Sequence, residues 1–345
     1  MRSGLHRRAF VGSALALAAC GADAQTGPVS IPPLKSIAPF PVGVCIQAVH
    51  LQDRDLVRLL LEQVSQLTPE WEMKMEYIAQ PDGVFRFEGP DQIAAFAKTH
   101  GLRLFGHTLV WYDQAPAAFT DLDESRVSFA DAYRNYILAV VGRYRGQAVG
   151  WDVINETVLD DGSGWRDSLW ARKLGKLEHM VLAFQHAREA DPGAVLFLND
   201  FFLETHPKKR TAFLKLAEAL LKAGAPLGGL GTQTHLAAGD QTGLIKAAIA
   251  DLASLGLPIH VSEMDVSLQE GGDRKARLTR QADLYREAAE AFSALPQRQQ
   301  FAFTIWGLRD QESWRKREDG ADAPLLFDVN GAPKPAAAAW VQGLG

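Results

Sequence analysis

Residues 148–156 read Ala148-Val149-Gly150-Trp151-Asp152-Val153-Ile154-Asn155-Glu156. An apolar strand-like run ends abruptly on an amide and a carboxylate. The pattern recurs along the chain. Short apolar runs at Val42–Ala48, Gln66–Glu70, Leu102–Trp111, Ala148–Glu156, Val195–Phe201, Gly228–His235, Pro258–Val266 and Gln299–Gly307 are candidate strands. Helical patterns lie between them, as at Asp55–Val64, Phe129–Tyr144, Lys208–Ala223 and Arg274–Leu295. In Phe129–Tyr144, Ala132, Tyr133, Tyr136, Ile137 and Val140 fall on one face. Gly224 and Gly256 stand where left-handed caps are expected. Strand and helix alternating eight times in roughly 300 residues predict a parallel (β/α)8 TIM barrel, an α/β fold with a single catalytic domain over residues 42–345.

Composition agrees with one globular domain. The chain has 345 residues, 47% hydrophobic and 22% charged, with a formal charge of −5. Mild acidity argues against a nucleic-acid partner. Two cysteines exclude a disulfide-dense scaffold and a four-cysteine zinc site. Cys45, inside the apolar run Val42 to Ile46, reads as a buried structural thiol.

Residues 1–24 read as an export signal. Arg2, His6, Arg7 and Arg8 precede an apolar stretch from Ala9 to Ala19, too short to span a bilayer. Arg7-Arg8 followed by Ala9-Phe10-Val11 resembles a twin-arginine signal. Leu17-Ala18-Ala19-Cys20 resembles a lipobox, which implies a lipid anchor at Cys20. The rival is cleavage after Ala24, within Ala22-Asp23-Ala24, releasing a soluble protein. Cleavage before Cys20 removes three arginines and no acid, leaving −8. Residues 25–41 carry Pro28, Pro32, Pro33, Pro39 and Pro41 and read as a stiff tether. The expected location is periplasmic or on the outer membrane, with secretion as the alternative.

Function in such a barrel sits at the C-terminal ends of the strands. There the sequence places Glu70-Trp71-Glu72-Met73-Lys74, His107, Trp111, Gln114, Asn155-Glu156, Asn199-Asp200, Gln233-Thr234-His235, Glu263-Met264-Asp265 and Trp306-Gly307. Glu156 and Glu263 end the fourth and seventh predicted strands, nearly opposite each other across the mouth. Facing carboxylates are the working parts for cleaving a glycosidic bond, one protonated and one ionised. Trp111, Trp306 and Trp314 offer flat apolar platforms for sugar rings. Trp151, Trp170 and Trp340 read as core.

These residues resemble glycoside hydrolase family 10, the endo-β-1,4-xylanases. The resemblance covers most of residues 42–340. It is carried by Leu67-Thr68-Pro69-Glu70 with Met73-Lys74, His107-Thr108-Leu109-Val110-Trp111 with Gln114 and Pro116, and Trp151-Asp152-Val153-Ile154-Asn155-Glu156. Further matches are Gly231-Thr232-Gln233-Thr234-His235-Leu236, Ser262-Glu263-Met264-Asp265, Ser313-Trp314, Leu325-Leu326-Phe327-Asp328 and Lys334-Pro335-Ala336. It implies a retaining mechanism, with Glu156 as acid/base, Glu263 as nucleophile and the carboxyl groups about 5–5.5 Å apart. It implies that Asn155 bonds the sugar 2-hydroxyl. His235 would contact the nucleophile, Asp265 would orient that imidazole, and Asn199 would support the site. Glu70, Lys74, His107, Trp111, Gln114 and Gln233 would hold sugars on the non-reducing side, with Trp306 and Trp314 over them.

Three positions depart from the family pattern. Trp71 stands for the usual Asn, Tyr112 for His and Phe201 for Tyr. Trp71 is the serious departure, because an indole is larger and carries one donor. It is expected to shift preference toward short or aryl-capped glycosides.

The expected function is therefore a retaining endo-β-1,4-xylanase acting on xylan or xylo-oligosaccharides, as a monomer, with no metal or organic cofactor. Alternatives are a β-glycosidase of the same fold acting on short or aryl β-glycosides or β-1,4-glucan, and a non-catalytic carbohydrate-binding barrel. A metal-dependent hydrolase is disfavoured because no H-E-x-x-H pair occurs.

Overall fold

The computed structural model describes residues 29–125, 127–269, 272–315 and 322–345. Both export readings, the lipobox at Cys20 and cleavage after Ala24, lie outside the described residues. Among the described residues ten strands occur in chain order: β1 Val42–Ile46, β2 Gln66–Pro69, β3 Arg103–Gly106, β4 Val110–Trp111, β5 Ala148–Asn155, β6 Val195–Asp200, β7 Gly229–Thr232, β8 His235–Ala237, β9 Ile259–Ser267 and β10 Gln300–Ile305. All their pairings with one another are parallel. The main ladder runs β1-β2-β3-β5-β6-β7-β9-β10, and β10 pairs back onto β1 with Phe303 opposite Val42. That closure makes the expected (β/α)8 barrel, which leaves the main ladder no open edge.

The apolar runs form staves because both of their faces are covered. Every residue of β1, β2 and β9 is buried, the signature of a parallel sheet packed inside and out. Helices form the outer layer. Helix Phe129–Arg143 buries Tyr133, Tyr136, Ile137 and Val140, as its periodicity predicts. Trp151, Trp170 and Trp340 are core residues. Trp151 lies flat on Gly106, where an added Cβ would come within 2.1 Å of the indole, so only glycine fits beside it. Gly224 and Gly256 take positive φ, 80° and 73°, as helix caps. Cys45 is a buried free thiol whose pKa is pushed up by burial.

Two predicted strands are interrupted. Leu102–Trp111 divides into β3 and β4, because Thr108 Oγ1 and Leu109 N both turn onto the Asp152 carbonyl, at 2.8 and 3.0 Å. Gly228–His235 ends at Thr232, and the chain resumes as β8 after Thr234, whose φ is +57°. In both places the ladder breaks where a side chain, His107 or Gln233, points into the barrel mouth.

The tether reading of residues 25–41 is corrected for its described part. Leu34–Ile37 forms one helical turn, Leu34 is fully buried, and its N–H donates to Gln63 Oε1 at 3.1 Å. Phe40 packs edge-on against Phe292, with ring centroids 4.7 Å apart, and against Trp340 at 6.2 Å. Proline content signalled stiffness, but Leu34 and Phe40 supply apolar surface that the barrel base covers. Burying two such side chains contributes a few kcal/mol, roughly 1.5–3 each.

Candidate active site

The C-terminal ends of the strands surround a cleft of about 380 Å³. It crosses the barrel mouth from Trp71, after β2, to Phe201 and Phe202, after β6. Glu156, after β5, and Glu263, in β9, lie between those ends. Glu70, Trp71, Lys74, His107, Trp111, Asn155, Gln233, His235, Trp306 and Trp314 all line it.

Each glutamate has a distinct environment. Glu156 Oε2 accepts from Trp111 Nε1 at 2.7 Å, and Oε1 accepts from Gln233 Nε2 at 2.8 Å and Asn155 Nδ2 at 3.1 Å. These donors are neutral. Its φ of +58° is a left-handed conformation that L residues rarely adopt. The Glu156 N–H donates to the Asn199 carbonyl at 2.9 Å and Arg166 Nε to the Glu156 carbonyl at 2.9 Å, which holds this strained backbone from both sides.

Glu263 is only 4% exposed and lies among cationic groups. Its Oε1 accepts from Asn199 Nδ2 at 2.9 Å and lies 4.0 Å from His107 Nδ1. Its Oε2 lies 3.5 Å from His235 Nε2. Burial alone would raise this carboxyl, but the charge of His107, the bond and charge of His235, and Lys74 together hold its pKa below the ordinary value. The burial of His235 opposes its charge, yet Asp265 and Glu263 push its pKa up to about 9. Asp265 Oδ2 is 3.1 Å from His235 Nδ1. Asp265 also accepts from Trp314 Nε1 at 2.8 Å and Arg315 Nε at 2.7 Å, so one buried carboxylate anchors an imidazole, an indole and a guanidinium.

The two glutamates are joined by amides. Asn199 Nδ2, besides meeting Glu263, donates to Asn155 Oδ1 at 2.9 Å, and Asn155 in turn donates to Glu156. Ser262 Oγ donates to Asn199 Oδ1 at 2.8 Å, which fixes which end of that amide faces the carboxylate. His107, Asp152 and Glu263 also form a close group of potential metal ligands. His107 Nδ1 already meets Asp152 Oδ2 at 2.8 Å, and burial pushes Asp152 up to about 6. Asp152 Oδ1 is buried with no hydrogen-bond partner, so only one oxygen of that carboxylate is paired.

On the Trp71 side, Lys74 Nζ lies 4.1 Å from the Trp71 ring centroid and 4.8 Å from that of Trp111. Its burial lowers its pKa, opposed by Glu263, Glu156 and Glu70. Glu70 accepts from Gln47 Nε2 at 3.1 Å, and burial raises its carboxyl. On the opposite side, Lys209 Nζ sits 3.4 Å from the Phe201 ring centroid and 2.8 Å from Asp200 Oδ1.

One residue expected to hold sugar does not line the cleft. Gln114 is buried behind it, where its Oε1 accepts from Glu76 N at 3.1 Å. It braces the loop after β4 against helix Met75–Ile78 instead. The sequence reading also missed two lining residues, Phe202 and Arg315. Phe202 adjoins the flagged Phe201, and Arg315 follows Trp314, so adjacency to a strand-end motif was the available signal.

Comparison with known proteins decides the family. The family model described as Glycosyl hydrolase family 10 matches residues 35–343. The chain belongs to glycosyl hydrolase family 10. An endo-1,4-beta-xylanase from Geobacillus stearothermophilus is 36% identical over 331 residues, covering 89% of this chain and 97% of that protein. Exoglucanase XynX from Acetivibrio thermocellus is 34% identical over 89% of this chain, but the match spans only 29% of its length. The structure of an intracellular xylanase from Thermoanaerobacterium saccharolyticum, a mutant in complex with xylotetraose, superposes with a TM-score of 0.82 at 33% identity, covering 90% of this chain and 98% of that one. The family match begins at residue 35, within the described part of the segment first read as a tether.

The pKa of His235 generates a stability prediction. Its folded value of about 9 exceeds its ordinary one, so its contribution is complete below pH ~6.5 and is lost as pH rises through about 9. His235→Asn is expected to flatten the stability profile across that window. Urea unfolding of both proteins between pH 6 and 10 checks this, and parallel profiles would contradict it.

Proposed function

We propose that this chain is a retaining endo-β-1,4-xylanase. The observation that carries the reading is the asymmetry of the paired glutamates: Glu263 is buried beside His235 and His107, whereas Glu156 is held by neutral donors at the open cleft. In the first step the Glu263 carboxylate attacks the anomeric carbon while the proton of Glu156 passes to the glycosidic oxygen. The aglycone leaves as an alcohol, and the sugar remains as an ester on Glu263. In the second step ionised Glu156 takes a proton from water. The resulting nucleophilic oxygen attacks the same carbon, and Glu263 departs as a carboxylate. The barrel supports this division of labour by setting neutral donors around one carboxylate and cations around the other.

Relatives named as xylanases, and one solved in complex with xylotetraose, favour β-1,4-linked xylose as substrate. The proposed roles follow position. Asn155 reaches the 2-hydroxyl of the sugar under attack. Glu70, Lys74, His107 and Gln233 bond sugars on the non-reducing side, with Trp111, Trp306 and Trp314 as platforms. Export and a lipid anchor at Cys20 are also proposed, on the twin arginines and lipobox of the sequence alone. Membrane partition of the wild type against Cys20→Ala tests the anchor.

A second reading concerns chain length. Trp71 lies in the cleft wall, and its ring approaches Tyr77 at 6.0 Å and Lys74 at 4.1 Å. A bulky indole there supports preference for short or aryl-capped substrates.

Glu263→Ala is expected to abolish turnover of every substrate. Glu156→Ala is expected to lose most activity on xylan, by about 10²–10⁴-fold, and less on xylosides with activated phenol leaving groups, which need little protonation. Initial rates on both substrate classes check this, and full activity in either variant would refute the assignment. Trp71→Asn is expected to raise the ratio of polymer to short-oligosaccharide hydrolysis. An unchanged ratio would remove Trp71 as a determinant.

A further inference from the structure

Glu204 is fully buried, does not line the cleft, and has no part in the chemistry above. It follows β6 on the turn that holds Phe202, another left-handed residue with φ +59°. Its Oε1 accepts two hydroxyl bonds, from Thr232 at 2.5 Å and from Thr234 at 2.7 Å. Its Oε2 is buried with no hydrogen-bond partner. Arg210 Nη1 donates to the Leu203 and Glu204 carbonyls at 2.7 and 3.3 Å, so the backbone that carries Glu204 is itself clamped.

The two threonines flank Gln233. Thr232 ends β7, and Thr234 supplies the left-handed kink before β8. A β-branched residue in that conformation is strained and persists only where its surroundings hold it. Glu204 provides the hold by pinning both hydroxyls to one oxygen. The kink matters because its two neighbours, which both line the cleft, meet different carboxylates. Gln233 turns to Glu156 at 2.8 Å, and His235 turns to Glu263 at 3.5 Å.

We propose that Glu204 is a positioning residue, which locks the β7–β8 kink and thereby aims Gln233 at Glu156 and His235 at Glu263. The inference rests on the glycosidase reading and adds to it a residue that touches neither sugar nor catalytic carboxylate. Because both hydroxyls meet a single oxygen, a glutamine that presents its carbonyl there replaces the carboxylate, whereas alanine leaves the Thr232 hydroxyl without Glu204 and the Thr234 hydroxyl with only a longer bond, 3.3 Å, to the Thr232 carbonyl.

The test compares wild type, Glu204→Ala and Glu204→Gln on 4-nitrophenyl β-xylobioside across pH, alongside thermal unfolding. Misdirected catalytic groups lower kcat/KM by about ten- to a hundredfold in Glu204→Ala. The acidic limb, set by Glu263 among His107, His235, Lys74, Glu70, Asp152 and Asp265, moves to higher pH as His235 loses its aim. Glu204→Gln restores both. A lowered Tm with rate and limb unchanged would overturn the proposal, and so would a glutamine variant as impaired as alanine. If Glu204→Ala does not fold, Thr234→Val carries the same readout with one hydroxyl removed. If the wild type hydrolyses no glycoside, the glycosidase reading fails separately. The His235 imidazole, followed by NMR, then supplies the test: its titration near pH 9 falls toward the ordinary value in Glu204→Ala, and an unshifted titration overturns the proposal.

Discussion

A carboxylate removed from water tends to take up a proton, and Glu263 is almost entirely removed from water. The barrel mouth is organised to keep it an anion. His107 comes from the end of β3, His235 from β8 and Lys74 from the loop after β2, so separate staves deliver positive charge to one side chain. Asp265, with Glu263, raises the pKa of His235 to about 9, and Trp314 and Arg315 in turn tie down Asp265. Each layer satisfies the cost created by the one inside it. A buried network of this kind is stable only when its members are paired, and the pairing fixes the geometry as well as the charge.

The same economy explains the backbone. Non-glycine left-handed residues stand at the ends of β5, β6 and β7, at Glu156, Phe202 and Thr234. Each turns the chain out of a regular ladder where a functional group must leave the strand direction. The ladder around them carries the strain, since the Asn199 and Asp200 carbonyls accept from Glu156 N and Gln233 N. A closed barrel suits this purpose because every stave is braced on both sides.

Much of this was legible in the sequence. Eight alternating units gave the barrel, and Asn155-Glu156 marked the end of β5, whereas Glu263-Met264-Asp265 lie inside β9, which runs on to Ser267, and His235 opens β8. Periodicity could not show that β3–β4 and β7–β8 are broken runs, because a kink held by Thr108 or by Glu204 leaves hydropathy unchanged. Gln114 shared its motif with true cleft residues but turned to a backbone N–H of the neighbouring loop. The proline-rich segment hid Leu34 and Phe40, whose destination is a surface patch assembled only after the barrel closes. Glu204 carried no local signal, because its partners lie on the next stave.

The central claim is that the anion protected at Glu263 attacks the sugar. Trapping with an activated 2-deoxy-2-fluoro xylobioside tests it directly, because the fluorine slows release of a covalent intermediate more than its formation. Mass spectrometry of the digested protein is predicted to find one glycosyl adduct, on the peptide that carries Glu263. An adduct on another residue, or none from a protein that turns over the parent xylobioside, would contradict the account.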